Sequence, residues 1–220
     1  MADFEKEIKK AVDLSNEGRI WEALNIYDKI LDSDPKYEPA LMNKAILNFQ
    51  DKKYEEVLEL VSKVKSEANI FDVKFIEANC HFLLGNIEMA EKTYNVLSSY
   101  LNENNDLIFK AGMATLQQGF YLVSVKILGK IDTKKSLFFE KNYYMALAYK
   151  AMGDLSSSIK CFGYAIREKS DSFQLYPLIA TTCFQNGMIE EGDKLMNILR
   201  EKNNRFFQHV AGIVADYRKS

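Results

Sequence analysis

Apolar residues recur along this chain at helical spacing, inside a longer period of about 34 residues. When units of this length start at Phe4, positions 17, 20, 24 and 27 carry mostly apolar side chains and fall on one face of a helix. A repeated pattern of this length predicts tandem helix–turn–helix units, each with a helix A and a helix B. Position 24 illustrates the pattern, with Tyr27, Val61, Tyr94, Leu128, Phe162 and Met196.

A glycine occupies position 15 in every unit except the second. Because glycine adopts a positive φ at little cost, it predicts the end of helix A and a tight turn into helix B. Lys52 stands at this place in the second unit, where Ala45, Tyr54, Val57 and Val61 keep the pattern, so we expect that unit to be intact. The glycines are Gly18, Gly85, Gly119, Gly153 and Gly187.

Small residues at positions 8 and 20 predict the points where helix A and helix B of a unit approach closely. Position 8 holds Ala11, Ala45, Ala78, Gly112, Ala146 and Ala180. Position 20 holds Ala23, Val57, Ala90, Ser124, Ser158 and Gly192.

These columns resemble the tetratricopeptide repeat, most clearly in the segment GRIWEALNIYDKILDSDP, which begins at Gly18 and ends at Pro35. The tryptophan that the family often carries at position 4 is absent. The resemblance covers residues 4 to about 204 and implies an all-α fold, a right-handed superhelical α-solenoid of helix–turn–helix repeats.

We therefore expect a single solenoid domain with six repeats and a C-terminal capping helix at residues 205–219. The repeats are expected at about 4–37, 38–70, 71–104, 105–138, 139–172 and 173–206.

Charge and cysteine content restrict the class of partner and the compartment. The net charge of −2 and the pI of about 5.8 argue against a general binder of nucleic acid phosphates. The three cysteines, Cys80, Cys161 and Cys183, have no metal-binding spacing and are expected to be buried thiols. With no apolar signal segment or membrane-length run, the sequence predicts a cytoplasmic protein without a membrane span.

The sequence offers no group of residues for catalysis. His81 and His209 lie far apart in the array, and there is no glycine-rich phosphate loop or nucleophile motif. We expect His81 to be a packed side chain and the protein to have no enzymatic activity and no cofactor.

In the resembled family, helix A lines the concave face of the array, and positions 5, 9 and 12 form one stripe there. In this chain we call these residues the helix A stripe. It is mostly apolar and aromatic, which favours either an exposed interaction groove or additional packing. It comprises Met42, Ile46, Phe49, Phe75, Asn79, Phe82, Phe109, Met113, Leu116, Tyr143, Leu147, Lys150, Pro177, Thr181 and Phe184, with Asn43 beside it.

If the stripe is a groove, its expected ligand is an apolar or amphipathic segment of another protein or peptide. A known ligand of the resembled family is the acidic C-terminal tail of heat-shock chaperones, which is held by a clamp of lysine, arginine and asparagine side chains around two carboxylates. We do not expect this ligand in repeats 1–3, because two carboxylates need cations. The positions of the clamp hold Ile8, Val12, Asn43, Asp72 and Ile76 in this chain.

The sequence thus predicts a non-catalytic protein interaction module or assembly scaffold. A self-associating structural subunit, that is, a homo-oligomer, is the first alternative. A helical-repeat protein that binds nucleic acid is a second alternative, which the acidic pI disfavours.

Overall fold

The computed structural model describes residues 4–101, 104–132 and 137–219. Within these ranges all regular structure is helical and there is no β-strand. The α-helices are α1 (Phe4–Asn16), α2 (Ile20–Ser33), α3 (Glu38–Gln50), α4 (Tyr54–Ser62), α5 (Ile70–Leu83), α6 (Ile87–Leu97), α7 (Asn105–Gln117), α8 (Tyr121–Gly129), α9 (Phe138–Ala151), α10 (Leu155–Glu168), α11 (Leu175–Gln185), α12 (Ile189–Lys202) and α13 (Asn204–Lys219). Short 3-10 helices occupy Glu67–Asn69 and Ser98–Tyr100.

The helices form two compact units, Met1–Leu101 with α1–α6 and Asn102–Ser220 with α7–α13. Unit 1 contains one core cluster around Tyr27 and Ile30 and another around Leu41 and Val61. Unit 2 contains one core cluster around Phe162 and another that joins α11, α12 and α13. The expected division into six repeats of one domain stays a prediction.

The sequence pattern predicted the start of each helix B. The even-numbered helices α2 to α12 all begin at position 17 of the predicted repeat. All residues at positions 8, 20, 24 and 27 are buried in the described residues. The all-α class and the helix–turn–helix organisation are therefore confirmed.

The glycine turns have the predicted backbone conformation. Their φ angles lie between +74° and +83°, in the left-handed region where a Cβ is unfavourable. The residues concerned are Gly18, Gly85, Gly119, Gly153 and Gly187.

Lys52 adopts the same conformation without being a glycine, with a φ of +62°. The N–H of Lys52 donates to the carbonyl of Phe49 at 3.1 Å, and the N–H of Lys53 donates to the carbonyl of Asn48 at 2.9 Å. These two bonds satisfy carbonyls at the end of α3 in the pattern that a helix-ending glycine usually makes. The second helix pair is intact, as the sequence predicted.

Two small residues at position 20 also form hydrogen bonds between the helices of a pair. Ser158 Oγ donates to the carbonyl of Ala146 at 2.9 Å, and Ser124 Oγ donates to the carbonyl of Gly112 at 2.8 Å. Both hydroxyls are buried. Without these bonds they would be buried polar groups with no partner, which would cost stability. A serine here therefore combines small volume with a specific contact to helix A.

Some side chains at position 17 are less buried than the repeat pattern predicted. Ile87 is 48% exposed and Ile189 is 37% exposed, although both share a helical face with buried residues. Both are the first residue of their helix, where only the following turn offers neighbours. Spacing gives the direction of a side chain around the helix, but its depth also depends on its place along the helix.

Candidate functional site

In unit 1, part of the helix A stripe lies on α3 and is largely packed. Met42 and Phe49 contact the core cluster of α3 and α4, and the Phe49 ring meets Tyr54 edge-on at 5.5 Å. Ile46 is exposed. The Asn43 Nδ2 donates to the carbonyl of its own helix at Pro39, at 2.8 Å. On α3 the stripe therefore presents mainly one aliphatic side chain.

The stripe on α5 is half-buried. Phe75 stacks on Phe71 at 5.8 Å and meets the buried Tyr94 ring edge-on at 6.3 Å. The Asn79 Nδ2 donates to the carbonyl of Phe75 at 2.6 Å, and Phe82 is half-buried as well. The contact with Tyr94 of helix B holds Phe75, and only part of the Phe75 and Phe82 rings is accessible.

In unit 2, α7 and α9 together form an aromatic cluster on the stripe. The Phe109 ring of α7 lies 5.5 Å from Tyr144 of α9, and Tyr144 lies 5.0 Å from Tyr143. Tyr143 in turn stacks on Phe139 at 5.9 Å. All four rings are half-buried. We call Phe109, Phe139, Tyr143 and Tyr144 the aromatic cluster.

Tyr144 and Phe139 were not among the predicted stripe residues. Tyr144 follows Tyr143 directly and so points about 100° around the helix from it, yet it reaches Phe109 on the neighbouring helix A. The cluster therefore spans two adjacent arcs of α9, and a search restricted to the arc of Tyr143 misses Tyr144. Phe139 lies on the arc of Tyr143, four residues earlier and before the first stripe position. Met113, Leu116 and Leu147 are half-buried residues of the same stripe on α7 and α9.

A pair of charges borders the aromatic cluster at the start of α9. Lys169 Nζ lies 4.3 Å from the centre of the Phe139 ring and donates to Glu140 Oε1 at 2.9 Å. Partial burial is the largest single influence on Glu140 and opposes its ionisation. The hydrogen bond from Lys169, a backbone hydrogen bond and the positive charge of Lys169 together outweigh it and lower the pKa of the carboxyl. This edge of the cluster already has its charges paired.

Lys150 lies at the other end of the stripe on α9 and has no such counter-charge. It is half-buried, and its Nζ forms no hydrogen bond or ion pair with another described residue. Burial lowers the pKa of its amine, because the ammonium form loses hydration. Lys150 is therefore a partly desolvated cation beside half-buried apolar side chains, a place where a carboxylate would be stabilised.

The stripe on α11 is not exposed. Phe184 is only 6% exposed, and Thr181 is buried with its hydroxyl donating to the carbonyl of Leu178 at 3.0 Å. The ring of Phe184 occupies the space above Gly192, where an added Cβ would lie 2.2 Å from its Cε1 atom. Phe184 therefore belongs to the core of unit 2, and of the α11 positions only Pro177 is partly exposed.

The cysteines are buried free thiols, as the sequence predicted. Burial raises the pKa of Cys80 to about 12 and that of Cys183 to about 11. In the described ranges, no group of three or more histidine, cysteine or acidic side chains could hold a metal ion. His81 is half-buried, with an Nδ1 atom that has no hydrogen-bond partner among those residues.

No helix in the part of the chain that the structure describes is long and apolar enough to cross a membrane.

Helix pairs closed by a left-handed turn, with small residues where the two helices meet, define an α-helical repeat protein. Solved structures identify the type of repeat. A tetratricopeptide repeat protein from Cytophaga hutchinsonii matches 88% of this chain and 78% of its own, with a TM-score of 0.65 and 14% identity. One from Parabacteroides merdae matches 98% and 88%, with a TM-score of 0.59 and 20% identity. The fold of this chain is thus that of tetratricopeptide repeat proteins.

A third similar structure is YrrB, described as a tetratricopeptide repeat protein with an unusual peptide-binding site. It matches 77% of this chain and 88% of its own, with a TM-score of 0.56 and 16% identity. No family model matches the sequence. Among curated proteins, Superkiller protein 3 of Schizosaccharomyces pombe is 23% identical over 181 residues, which cover 74% of this chain and only 12% of that protein.

Proposed function

We propose that this chain is a non-catalytic protein interaction module that binds a polypeptide segment of a partner on the helix A face of unit 2. The tetratricopeptide repeat fold implies a protein interaction or scaffold role. The described peptide-binding site of YrrB, a protein with the same fold, supports a peptide as the ligand. In the chain itself, the observation that carries the proposal is the aromatic cluster of α7 and α9.

The aromatic cluster suits an apolar anchor residue of the partner. Its rings are held in place by contacts with one another, so little conformational entropy is lost when a ligand covers them. Aromatic side chains that are partly exposed on a rigid helix face supply most of the energy in many protein interfaces. By comparison, the stripe in unit 1 offers fewer accessible ring atoms, since Phe49 and Phe75 pack against helix B.

Lys150 favours a partner segment that carries a negative charge at a defined distance from its apolar anchor residue. Tyr143 and Lys150 are seven residues apart on α9, which corresponds to roughly 10 Å along a helix. In an extended peptide, roughly three residues span that distance. The preferred segment therefore carries an aromatic or large aliphatic residue and, about three residues away, an aspartate, a glutamate or a terminal carboxylate.

A displayed library of random peptides tests this proposal. The wild-type chain should enrich peptides with an apolar residue and an acidic residue about three positions apart. A Phe109→Ala/Tyr144→Ala variant should lose the enrichment, and Lys150→Met should keep the apolar preference but lose the acidic one. Leu122→Ala, an exposed apolar residue on α8, is the matched control and should behave as the wild type.

Enrichment of the same peptides by the wild type and by the Phe109→Ala/Tyr144→Ala variant would rule out the aromatic cluster as the binding site.

The three buried thiols agree with a reducing compartment, and we propose that the interaction takes place in the cytoplasm.

A further inference from the structure

The last helix, α13, is held in a fixed orientation on unit 2. Its Val214 is buried among residues of α11 and α12, with Val210 packed beside it. Arg218 donates two hydrogen bonds to the carboxylate of Asp193 on α12, at 2.8 and 2.7 Å. The side chain of Asn203 caps the start of the helix by accepting the N–H of Phe206 at 3.1 Å. The face that α13 turns outward is therefore set by the fold.

Beside the buried face lies a second row of apolar residues, which we call the α13 stripe: Phe206, Val210, Ile213 and Tyr217. Ile213 is 63% exposed and Tyr217 is 41% exposed, whereas Phe206 and Val210 are half-buried, with one side packed against the core cluster of α11 and α12. The spacings of four, three and four residues are those of the seam between two helices of a coiled coil. Isolated exposed apolar residues are common on protein surfaces, but a row at this spacing indicates that another helix packs there.

We propose that the α13 stripe pairs with the α13 stripe of a second copy of this chain, with the two helices antiparallel. Two polar residues beside the stripe, His209 and Asp216, favour a second copy of this chain as the partner. His209 and Asp216 immediately precede Val210 and Tyr217, so both lie on the same edge of the seam, and both are exposed. In an antiparallel pair, this edge meets the same edge of the partner helix.

The register of the stripe sets which residues meet. With Val210 opposite Ile213 and Phe206 opposite Tyr217 of the other copy, His209 of each chain faces Asp216 of the other. The imidazole can then donate to the carboxylate, and the two-fold axis makes this contact twice. A parallel pair would instead place His209 near Val214 of the other copy, which offers no charge. The helix thus carries a hydrogen-bond donor and an acceptor that complement each other only in the antiparallel arrangement.

The size of the contact predicts weak association. Sixteen residues make a helix of roughly 24 Å, and a seam of four layers buries less surface than a permanent dimer needs. The expected state is therefore a reversible monomer–dimer equilibrium. The proposal does not depend on the peptide site, because the α13 stripe shares no residue with the aromatic cluster.

Sedimentation velocity over a wide range of protein concentration tests this proposal. The wild-type chain should show a sedimentation coefficient that rises with concentration. Ile213→Glu should weaken the association by at least about tenfold, because it places a charge in the centre of the seam. Leu122→Glu, at a position of α8 that is 55% exposed, should associate like the wild type. Both changes are at exposed positions, and circular dichroism should show the helical spectrum retained in each.

Charge exchange tests the antiparallel register separately. His209→Glu and Asp216→Lys should each weaken the dimer by roughly three- to tenfold. His209→Glu sets two carboxylates opposite one another twice, and Asp216→Lys replaces the carboxylate that accepts from the imidazole with a cation that can only donate. The double variant His209→Glu/Asp216→Lys restores opposite charges and should recover the association.

Three results would overturn the proposal. One is a chain that stays monomeric at every concentration, which would leave the α13 stripe to a different polypeptide. Another is association that Ile213→Glu does not weaken, which would place the contact elsewhere. The third is a charge-exchanged double variant weaker than both single variants, which would exclude the antiparallel register.

Discussion

The helix pairs α9–α10 and α11–α12 of unit 2 follow the same repeat pattern, but their A helices present different surfaces. On α9, positions 5, 9 and 12 hold Tyr143, Leu147 and Lys150, and all three are half-buried. On α11, position 12 holds Phe184, which is buried. The first pair therefore leaves a surface that a ligand can contact, whereas the second draws the corresponding side chain into the core.

The difference follows from position 20 on the opposing helix B. In the first pair this position is Ser158, whose hydroxyl fills the contact and donates to the carbonyl of Ala146. In the second pair it is Gly192, and the missing side chain leaves room for the ring of Phe184. The absence of a side chain at Gly192 thus lets an aromatic residue of helix A pack inward. The repeat pattern sets the fold, while the volume at such positions decides which repeats keep an accessible surface.

The largest expected effect is the loss of the Phe184 ring. Phe184→Ala should lower the free energy of unfolding by about 3–5 kcal/mol, because it removes a buried aromatic side chain and leaves a cavity above Gly192. Phe109→Ala, at a half-buried position of the aromatic cluster, should cost less than about 2 kcal/mol. Urea unfolding followed by circular dichroism measures both changes. Equal losses in the two variants would contradict the contrast between the two A helices.

A smaller effect is expected when the space at Gly192 is filled. In Gly192→Ala the new Cβ would lie within 3 Å of three atoms of the Phe184 ring, so the ring must move. We expect a net loss of about 1–2 kcal/mol, since strain exceeds the gain in helix propensity. Gly163→Ala on α10 is the matched control, because its Cβ would have no neighbour within 4 Å. It should stabilise the protein by up to about 1 kcal/mol.

A double-mutant cycle isolates the contact between the two residues. In a chain with Phe184→Leu, the smaller side chain leaves space for the alanine, so Gly192→Ala should cost clearly less than in the wild type. Additive effects of the two substitutions would mean that the ring does not respond to the new methyl group.

The sequence predicted the parts of the fold that depend on local rules. The φ preference of glycine placed the turns, and the start of every helix B followed from its distance to the turn. Even Lys52 fitted, because the pairing of α3 with α4 requires the left-handed conformation that a lysine avoids by itself. The columns of small and apolar residues gave the buried contacts within each helix pair.

The sequence could not predict how deeply the side chains that lie beside these columns are buried. Helical spacing assigned Phe109 and Phe184 to the same stripe, but one is half-buried and the other is in the core. The decisive neighbour, Gly192, is eight residues away on another helix and resembles every other small residue in its column. Tyr144 was missed for the same reason, because its partner Phe109 belongs to a different helix pair.

The smallest expected effect concerns Lys150, which occupies on α9 the position that Phe184 occupies on α11. Lys150→Met should stabilise the protein by less than about 1 kcal/mol at neutral pH, because it keeps the length of the side chain but removes a partly desolvated charge.

The pKa of Lys150 is lowered in the folded protein, so its ammonium form opposes folding. At neutral pH the amine is protonated in both states, and this unfavourable contribution is fully present. As pH rises through the lowered pKa, the folded state releases its proton first, and the advantage of methionine should shrink. Unfolding at neutral pH and near pH 10 measures this trend, with Lys160→Met, at an exposed position of α10, as a control that should change little at either pH. A clear destabilisation by Lys150→Met would mean that the amine has a stabilising partner, and that the half-buried stripe on α9 does not need a ligand to neutralise its charge.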